Sequence, residues 1–376
     1  MSQQLENFLT QIRSLPSLVA EAVPRMEPGT RTALRTEEIY GIRQIILTGS
    51  GDSYFAAVAV APALRAWTGL PVQPMVSMEA SRYVDHGRPP LAGKNRGLLV
   101  IAISSSGEAA RLVEAVQRLR RLGAITLAVT AHADSRLGQA AEKRIDIAIP
   151  PSTPAPGLRS YVASLLGLYL FSIRLAEVLM TITMDRANAL RKQLTELSAS
   201  LEGLSEKCEP LICQRVESWG KFSVADVLGS GPGYGSAAYT AAKLVEAAGV
   251  HATAQDAEEF HHLNFFCDQP ESLPAIVFAP ANAISARRTK ELFGTLEQLG
   301  RPHFIITDSA DFAPADNCLL IPATDELFAP ILQTVPGALF AAFAAEQRAI
   351  THYRGHSGPW RGAKDAALIR NSPIEL

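Results

Sequence analysis

Residues 45–57 read IILTGSGDSYFAA, and residues 225–237 read ADVLGSGPGYGSA. Gly49, Ser50, Gly51 and Tyr54 recur 180 positions on as Gly229, Ser230, Gly231 and Tyr234. The same step carries Gly69 onto Gly249 and Glu79 onto Glu259. Further along, GAITLAVTAHADSRLG is echoed by GRPHFIITDSADFAPA at an offset of 177, and IDIAIP by CLLIPA. One domain is therefore written twice, with small insertions and deletions.

Within the first copy, strand-like runs alternate with helical ones. QIILTG, PVQPMVS, GLLVIAIS, ITLAVTA and RIDIAIP are compact and apolar. Between them SYFAAVAVAPALRAW, EAARLVEAVQRLRRLG and SRLGQAAEK carry apolar residues at helical spacing. Alternation of this kind predicts a parallel sheet covered by helices on both faces. The chain is thus read as α/β, with two tandem doubly wound, flavodoxin-like domains of three αβα layers. An N-terminal helical segment covers residues 1–35, the first domain 36–183, a linking helix 184–209, the second domain 210–350 and a tail 351–376.

Bulk properties fit this reading and exclude others. The 376 residues are 47% hydrophobic and 19% charged, enough to bury a sizeable core in two or three domains. A net charge of −2 gives no field for nucleic acid or an anionic membrane, so neither is expected as a partner. A bound anion must be held by local geometry. Cys208, Cys213, Cys267 and Cys318 form no CxxC pair, a pattern that suits the reducing cytoplasm. MSQQLENFLTQIRSLP has no signal-peptide core. The most apolar stretch, YVASLLGLYLFSIRLAEVLM, carries Arg174 and Glu177 and reads as a buried helix rather than a membrane span.

Residues 98–116, LLVIAISSSGEAARLVEAV, place three hydroxyls where a strand becomes a helix. Ligands of open parallel sheets bind beyond the carboxyl ends of the strands. The first amides of the following helix are unpaired, and its dipole favours negative charge. Ser104, Ser105 and Ser106, with Gly107 permitting close approach, make a phosphate cradle without lysine or arginine. The loop GSGDS offers Gly51 and Ser53 to the same place. The plainer alternative is a helix cap with spare serines. The second copy has APANAIS where ISSSGE stood, so the cradle belongs to the first copy alone.

The second copy has its own polar cluster in YTAAKLVEAAGVHATAQDAEEFHH, residues 239–262. Lys243 and Glu246 are three apart and share a helix face. Glu258 with His261, and Glu259 with His262, repeat that spacing. An exposed ion pair and a solvated helix start would explain them equally. Two Glu-x-x-His steps can hold a metal, but there is no HExxH motif and no second ligand helix, so no metal is expected. In GSGPGYG the third glycine of a dinucleotide fingerprint falls on Tyr234.

Taken together, these residues resemble the sugar isomerase (SIS) domain family. More closely, the chain resembles the two-domain isomerase half of glucosamine-6-phosphate synthases, without their glutaminase domain. The resemblance covers nearly all of the chain after about residue 36. The family's GTS loop matches GDS, which implies that Ser53 binds phosphate. Its SQSGET loop matches SSSGEA, which implies the same for Ser104, Ser105 and Ser106, with Ala109 replacing a threonine. Its VAS step matches Val162, Ala163 and Ser164, implying substrate contacts from Val162 and Ser164. Arg159 stands where the family commonly has a glutamate.

KLxE followed sixteen residues later by histidine matches Lys243, Glu246 and His262, and Glu259 falls on the glutamate of GExxH. The resemblance implies that Glu246 moves a proton between C1 and C2, aided by Lys243. It implies that His262 opens the sugar ring from the partner subunit, hence a homodimer with shared active sites. The family's HGP becomes His262-Leu263-Asn264. The tail lysine of the synthases aligns with Asn371, and Lys364 is a nearby substitute. The implied activity is a cofactor-independent isomerase/deaminase acting on an amino-sugar or fructosamine 6-phosphate through an enediol or enolamine. A simple ketose/aldose phosphate isomerase and a sugar-phosphate sensor without turnover are the alternatives.

Overall fold

The computed structural model describes residues 1–84, 97–350 and 368–376. The chain opens with α1 (Gln3–Arg13), α2 (Leu15–Thr32) and α3 (Thr36–Tyr40). There follow β1 (Gln44–Gly49), α4 (Asp52–Thr68), β2 (Val72–Val76), α5 (Ser77–Arg82), β3 (Leu98–Ile103) and α6 (Ala110–Arg121). The first copy ends with β4 (Ile125–Thr130), α7 (Arg136–Ala140), β5 (Lys143–Asp146) and α8 (Arg159–Val178). Next come α9 (Met184–Leu201) and α10 (Leu204–Trp219). The second copy runs β6 (Val224–Leu228), α11 (Pro232–Lys243), β7 (His251–Gln255), α12 (Ala257–Phe260), β8 (Ala275–Phe278), α13 (Ala286–Gln298), β9 (His303–Thr307), β10 (Cys318–Leu320) and α14 (Ala329–Gln347). A short α15 (Leu368–Asn371) stands near the end.

Two parallel five-stranded sheets result, as the alternation predicts. Their orders are β2-β1-β3-β4-β5 and β7-β6-β8-β9-β10, the same path traced twice. Register repeats as well. Leu47 lies beside Pro74 and Ile101, and its counterpart Val227 lies beside Ala254 and Ile276. The strands β3 and β8 are buried at every position, as expected for parallel strands covered on both faces. In the first sheet α4 packs with α8, and α5 with α6; in the second α11 packs with α14, and α12 with α13.

Packing divides the chain into two compact units. One comprises residues 17–151, 159–196 and 361–376 and holds the first sheet. The other comprises residues 1–16, 152–158 and 197–360 and holds the second. Among the described residues two helical stretches, Arg159–Val178 and Glu326–Gln347, are long and apolar enough to cross a membrane, yet 89% of an apolar 18-residue window in each is buried in the fold. All four cysteines are free thiols.

The repeated glycines have repeated reasons. Gly51 and Gly231 precede α4 and α11 with φ of 54° and 57° and ψ of −130° in both, a conformation open to glycine and strained for other residues. A Cβ on Gly49 would come within 2.8 Å of the Ser53 carbonyl carbon, and one on Gly229 within 2.4 Å of the Gly233 oxygen. Beyond these glycines the copies diverge. The helix α4 is α-helical throughout, whereas α11 passes into a π-helical turn, Leu244–Ala248. The single linking helix predicted over 184–209 is two helices, because Gly203 takes a left-handed φ of 65° between α9 and α10.

Candidate functional site

In the unit of the first sheet, strand order reverses at the neighbours β1 and β3, the switch point where such sheets bind ligands. Ser53, in the first turn of α4, and the serine turn after β3 are carried by these two strands. Ser104 is buried, and its Oγ accepts the Gly107 N–H at 3.0 Å. The Ser105 carbonyl accepts from the Ala131 N–H at 3.1 Å and from Thr130 Oγ1 at 3.3 Å. Ser106 is exposed. Gly107 has φ 69°, and a Cβ there would lie 2.0 Å from Ser135 Oγ. The turn is therefore clamped against the β4–α7 loop. No side chain caps the start of α6, where Ala109 is the N-cap residue, so its first amides can meet an outside acceptor.

Val162 and Ser164 are buried on α8, and Ser164 Oγ donates to the Ser160 carbonyl at 2.9 Å. Beside them Tyr161 is buried, and burial, then the charge of Asp52, hold its hydroxyl far above the ordinary tyrosine range. Arg159 donates to the Pro150 carbonyl at 2.9 Å, and burial lowers its pKa. Asn371 ends α15 and is exposed. Lys364 lies outside the described residues.

In the unit of the second sheet, Lys243 has no exposed side-chain surface, and its Nζ donates to the Glu246 carboxylate. The ammonium also sits 5.4 Å from the Tyr239 ring centroid. Glu246 lies in the π-helical turn with 45% of its side chain exposed. A carboxylate reaching solvent while anchored by a buried cation can move a proton without losing its place.

The two Glu/His pairs do not form as spaced. His262 Nε2 lies 3.2 Å from Glu258, not Glu259, because the chain past α12 keeps a helical turn and puts i and i+4 together. Glu258 also binds Arg288, and these hydrogen bonds, from Arg288 first and then His262, hold its carboxyl below the ordinary range. Glu259 and His262 are exposed, and neither is hydrogen-bonded to Glu246. His261 is structural: its ring contacts the Ala257 carbonyl and Thr295 Oγ1. Among the described residues no three His, Cys, Asp or Glu side chains form a metal-binding group.

One supporting network has almost no signature in the sequence. Asp226 and Arg301 are both buried and paired. Asn264 donates to Asp226 at 2.7 Å and accepts from Gln255 at 2.9 Å. The segment after His262 is thereby fastened to β6 and β7. The one signal is a lone aspartate in the otherwise apolar run VADVL.

Residues 38–174 match the SIS domain family. The chain is 26% identical over 352 residues to the glutamine–fructose-6-phosphate aminotransferase (isomerizing) of Mycobacterium tuberculosis, covering 91% of this chain and 55% of that protein. It thus spans about half the length of the curated relatives it matches. Among solved structures, the C-terminal domain of the glucosamine-fructose-6-phosphate aminotransferase from Francisella tularensis superposes with a TM-score of 0.80 at 19% identity, covering 91% of this chain and 96% of that one. Glucosamine-6-phosphate deaminase from Thermotoga maritima superposes with 0.64 at 15% identity, covering 89% and 95%. The SIS match thus falls on the first copy, and the second sheet is built in the same strand order.

Proposed function

We propose that the chain is a sugar-phosphate isomerase/deaminase acting on an amino-sugar or fructosamine 6-phosphate without a cofactor. The serine turn and Ser53 hold the phosphate. Glu246 takes a proton from the carbon beside the carbonyl or imine and returns it to the neighbouring carbon. The intermediate is an enediol, or an enolamine where nitrogen is attached. Protonating the enolamine at the other carbon gives an imine, and water hydrolyses it to a carbonyl and a free amine. Lys243 keeps the carboxylate placed, and His262 moves the anomeric proton when the ring opens. A homodimer in which the partner subunit donates the histidine accords with His262 being exposed and not bonded to Glu246 in its own chain.

The observation that carries this reading is the Lys243–Glu246 pair on a π-helical turn, a distortion common at functional sites. Asn371 supports amine release or simple isomerisation over amine transfer, since an amide side chain forms no Schiff base. The test is to incubate the protein with glucosamine 6-phosphate, fructose 6-phosphate and fructosamine 6-phosphates in deuterated water. Ammonia, amine, ketose and deuterium at C1 or C2 are followed. The expected result is deuterium uptake that Glu246→Gln abolishes. Tight binding of all these compounds with no turnover would make the chain a sensor.

A further inference from the structure

Residues 368–376 lie against α6 within the unit of the first sheet, around a carboxylate that has no solvent exposure. Glu114 accepts from Arg111 Nη1 at 2.6 Å, from Arg82 through Nε and, at 3.3 Å, through Nη2, and from the backbone N–H of Glu375 at 2.7 Å. Arg82 Nη1 continues to the Glu375 carboxylate at 2.6 Å. Arg111 Nη2 continues to Ser372 Oγ at 3.3 Å and to the Pro373 carbonyl. Ile374 packs on the cluster of Leu112, Val113, Val116 and Leu137. Burying a carboxylate at such depth is costly unless its oxygens are satisfied by hydrogen-bond donors, as these are.

The second copy repeats the arginine–glutamate pair without that cover. Arg288 and Glu291 fall 177 positions after Arg111 and Glu114, and His262 falls 180 after Arg82. There the side chains of Arg288 and Glu291 are 43% and 51% exposed, against 15% and 0% for Arg111 and Glu114. In the first copy Arg82 and Glu375 both contact Glu114.

A second link ties these residues to the serine turn. The backbone N–H of Arg136 donates to Glu108 in that turn at 3.3 Å, and its guanidinium donates to the Arg370 carbonyl at 2.5 Å. The Leu137 N–H donates to the Gly107 carbonyl at 2.9 Å.

We propose that residues 368–376 are a strap that fixes the serine turn, with Glu114 as its pin and Arg136 as its bridge. Affinity for a sugar phosphate then depends on the strap being seated. The proposal rests on reading the turn as the phosphate holder.

Hydrogen exchange and fructose 6-phosphate binding and turnover in the full chain test it, comparing wild type with Ile374→Asp and Arg136→Ala. In Ile374→Asp the amides of residues 104–109 should exchange on the order of tenfold faster. The KM should rise about tenfold while kcat stays within about twofold, because the strap acts on binding and not on Glu246. Arg136→Ala should move both in the same direction by less. Faster exchange confined to residues 368–376, with residues 104–109 and KM unmoved, overturns the strap. If wild type binds neither fructose 6-phosphate nor inorganic phosphate, the reading of the turn fails instead, and the exchange of residues 104–109 still decides the mechanical link.

Discussion

The helix α4 and the stretch from Pro232 to Ala248 occupy the same place in their two sheets, between equivalent glycines, and they are wound differently. Ala63 and Ala66 stand in the first copy where Lys243 and Glu246 stand in the second. Burial at these positions matches: Ala63 and Lys243 are both fully buried, and Ala66 and Glu246 both reach solvent. The duplication preserved the environment and changed the chemistry placed in it. An alanine at the buried position asks nothing of its neighbours. An ammonium there requires a partner, and Glu246 one turn on supplies it. The serine turn makes the opposite contrast, since its counterpart APANAIS has no run of hydroxyls.

The largest expected effect is on turnover. Glu246→Gln should slow deuterium exchange into substrate by about 10²–10⁴-fold, the usual range for a lost general base. Ala66→Gln, at the equivalent exposed position, should leave it unchanged. Equal losses from both would erase the contrast.

Ala63→Lys should cost about 3–5 kcal/mol, read by urea denaturation, because the new ammonium is buried without a carboxylate. Adding Ala66→Glu should recover part of that loss. Full recovery would mean that the π-helical turn is not needed for the pair.

Gly107→Ala should cost about 2–4 kcal/mol, since the backbone is left-handed and the new methyl meets Ser135. Phosphate binding by calorimetry should weaken with it. Gly51→Ala and Gly231→Ala should each cost about 1–2 kcal/mol and agree within about 0.5 kcal/mol, because their backbones match and neither site is crowded. A clear inequality in thermal melts would show that one copy bears a strain the other avoids.

The smallest effect separates Glu258 from Met78, its counterpart 180 positions earlier. Arg288 and His262 lower the Glu258 pKa in the folded state, so its stabilisation is present above the unfolded value near 4.5 and is lost as pH falls through the lower folded value. The stability difference between wild type and Glu258→Gln should shrink progressively as pH falls below the unfolded value near 4.5. Met78→Gln should show no such pH dependence.

Much of the fold was legible because strand burial and helix periodicity are local properties. QIILTG is β1 to the residue, ITLAVTA overruns β4 by its last alanine, and the recurring GSG marks the two turns where Gly51 and Gly231 share a backbone conformation. The Lys243–Glu246 pair was legible because three-residue spacing fixes a shared face. The π-helical turn was not, since no residue type in LVEAA demands it. Neither was the His262–Glu258 contact, where one residue of helical phase chose between two adjacent glutamates. The burial of Glu114 was not legible either, because Glu375, which contacts it, lies more than 250 positions away.

That long separation has a consequence for how the chain comes into being. The residues that cover Glu114 leave the ribosome only after both sheets have emerged. Until then Arg82, Arg111 and Glu114 lack the partners that Ser372, Pro373 and Glu375 give them in the finished chain. Maturation of that sheet thus waits on synthesis of the later one rather than on its own.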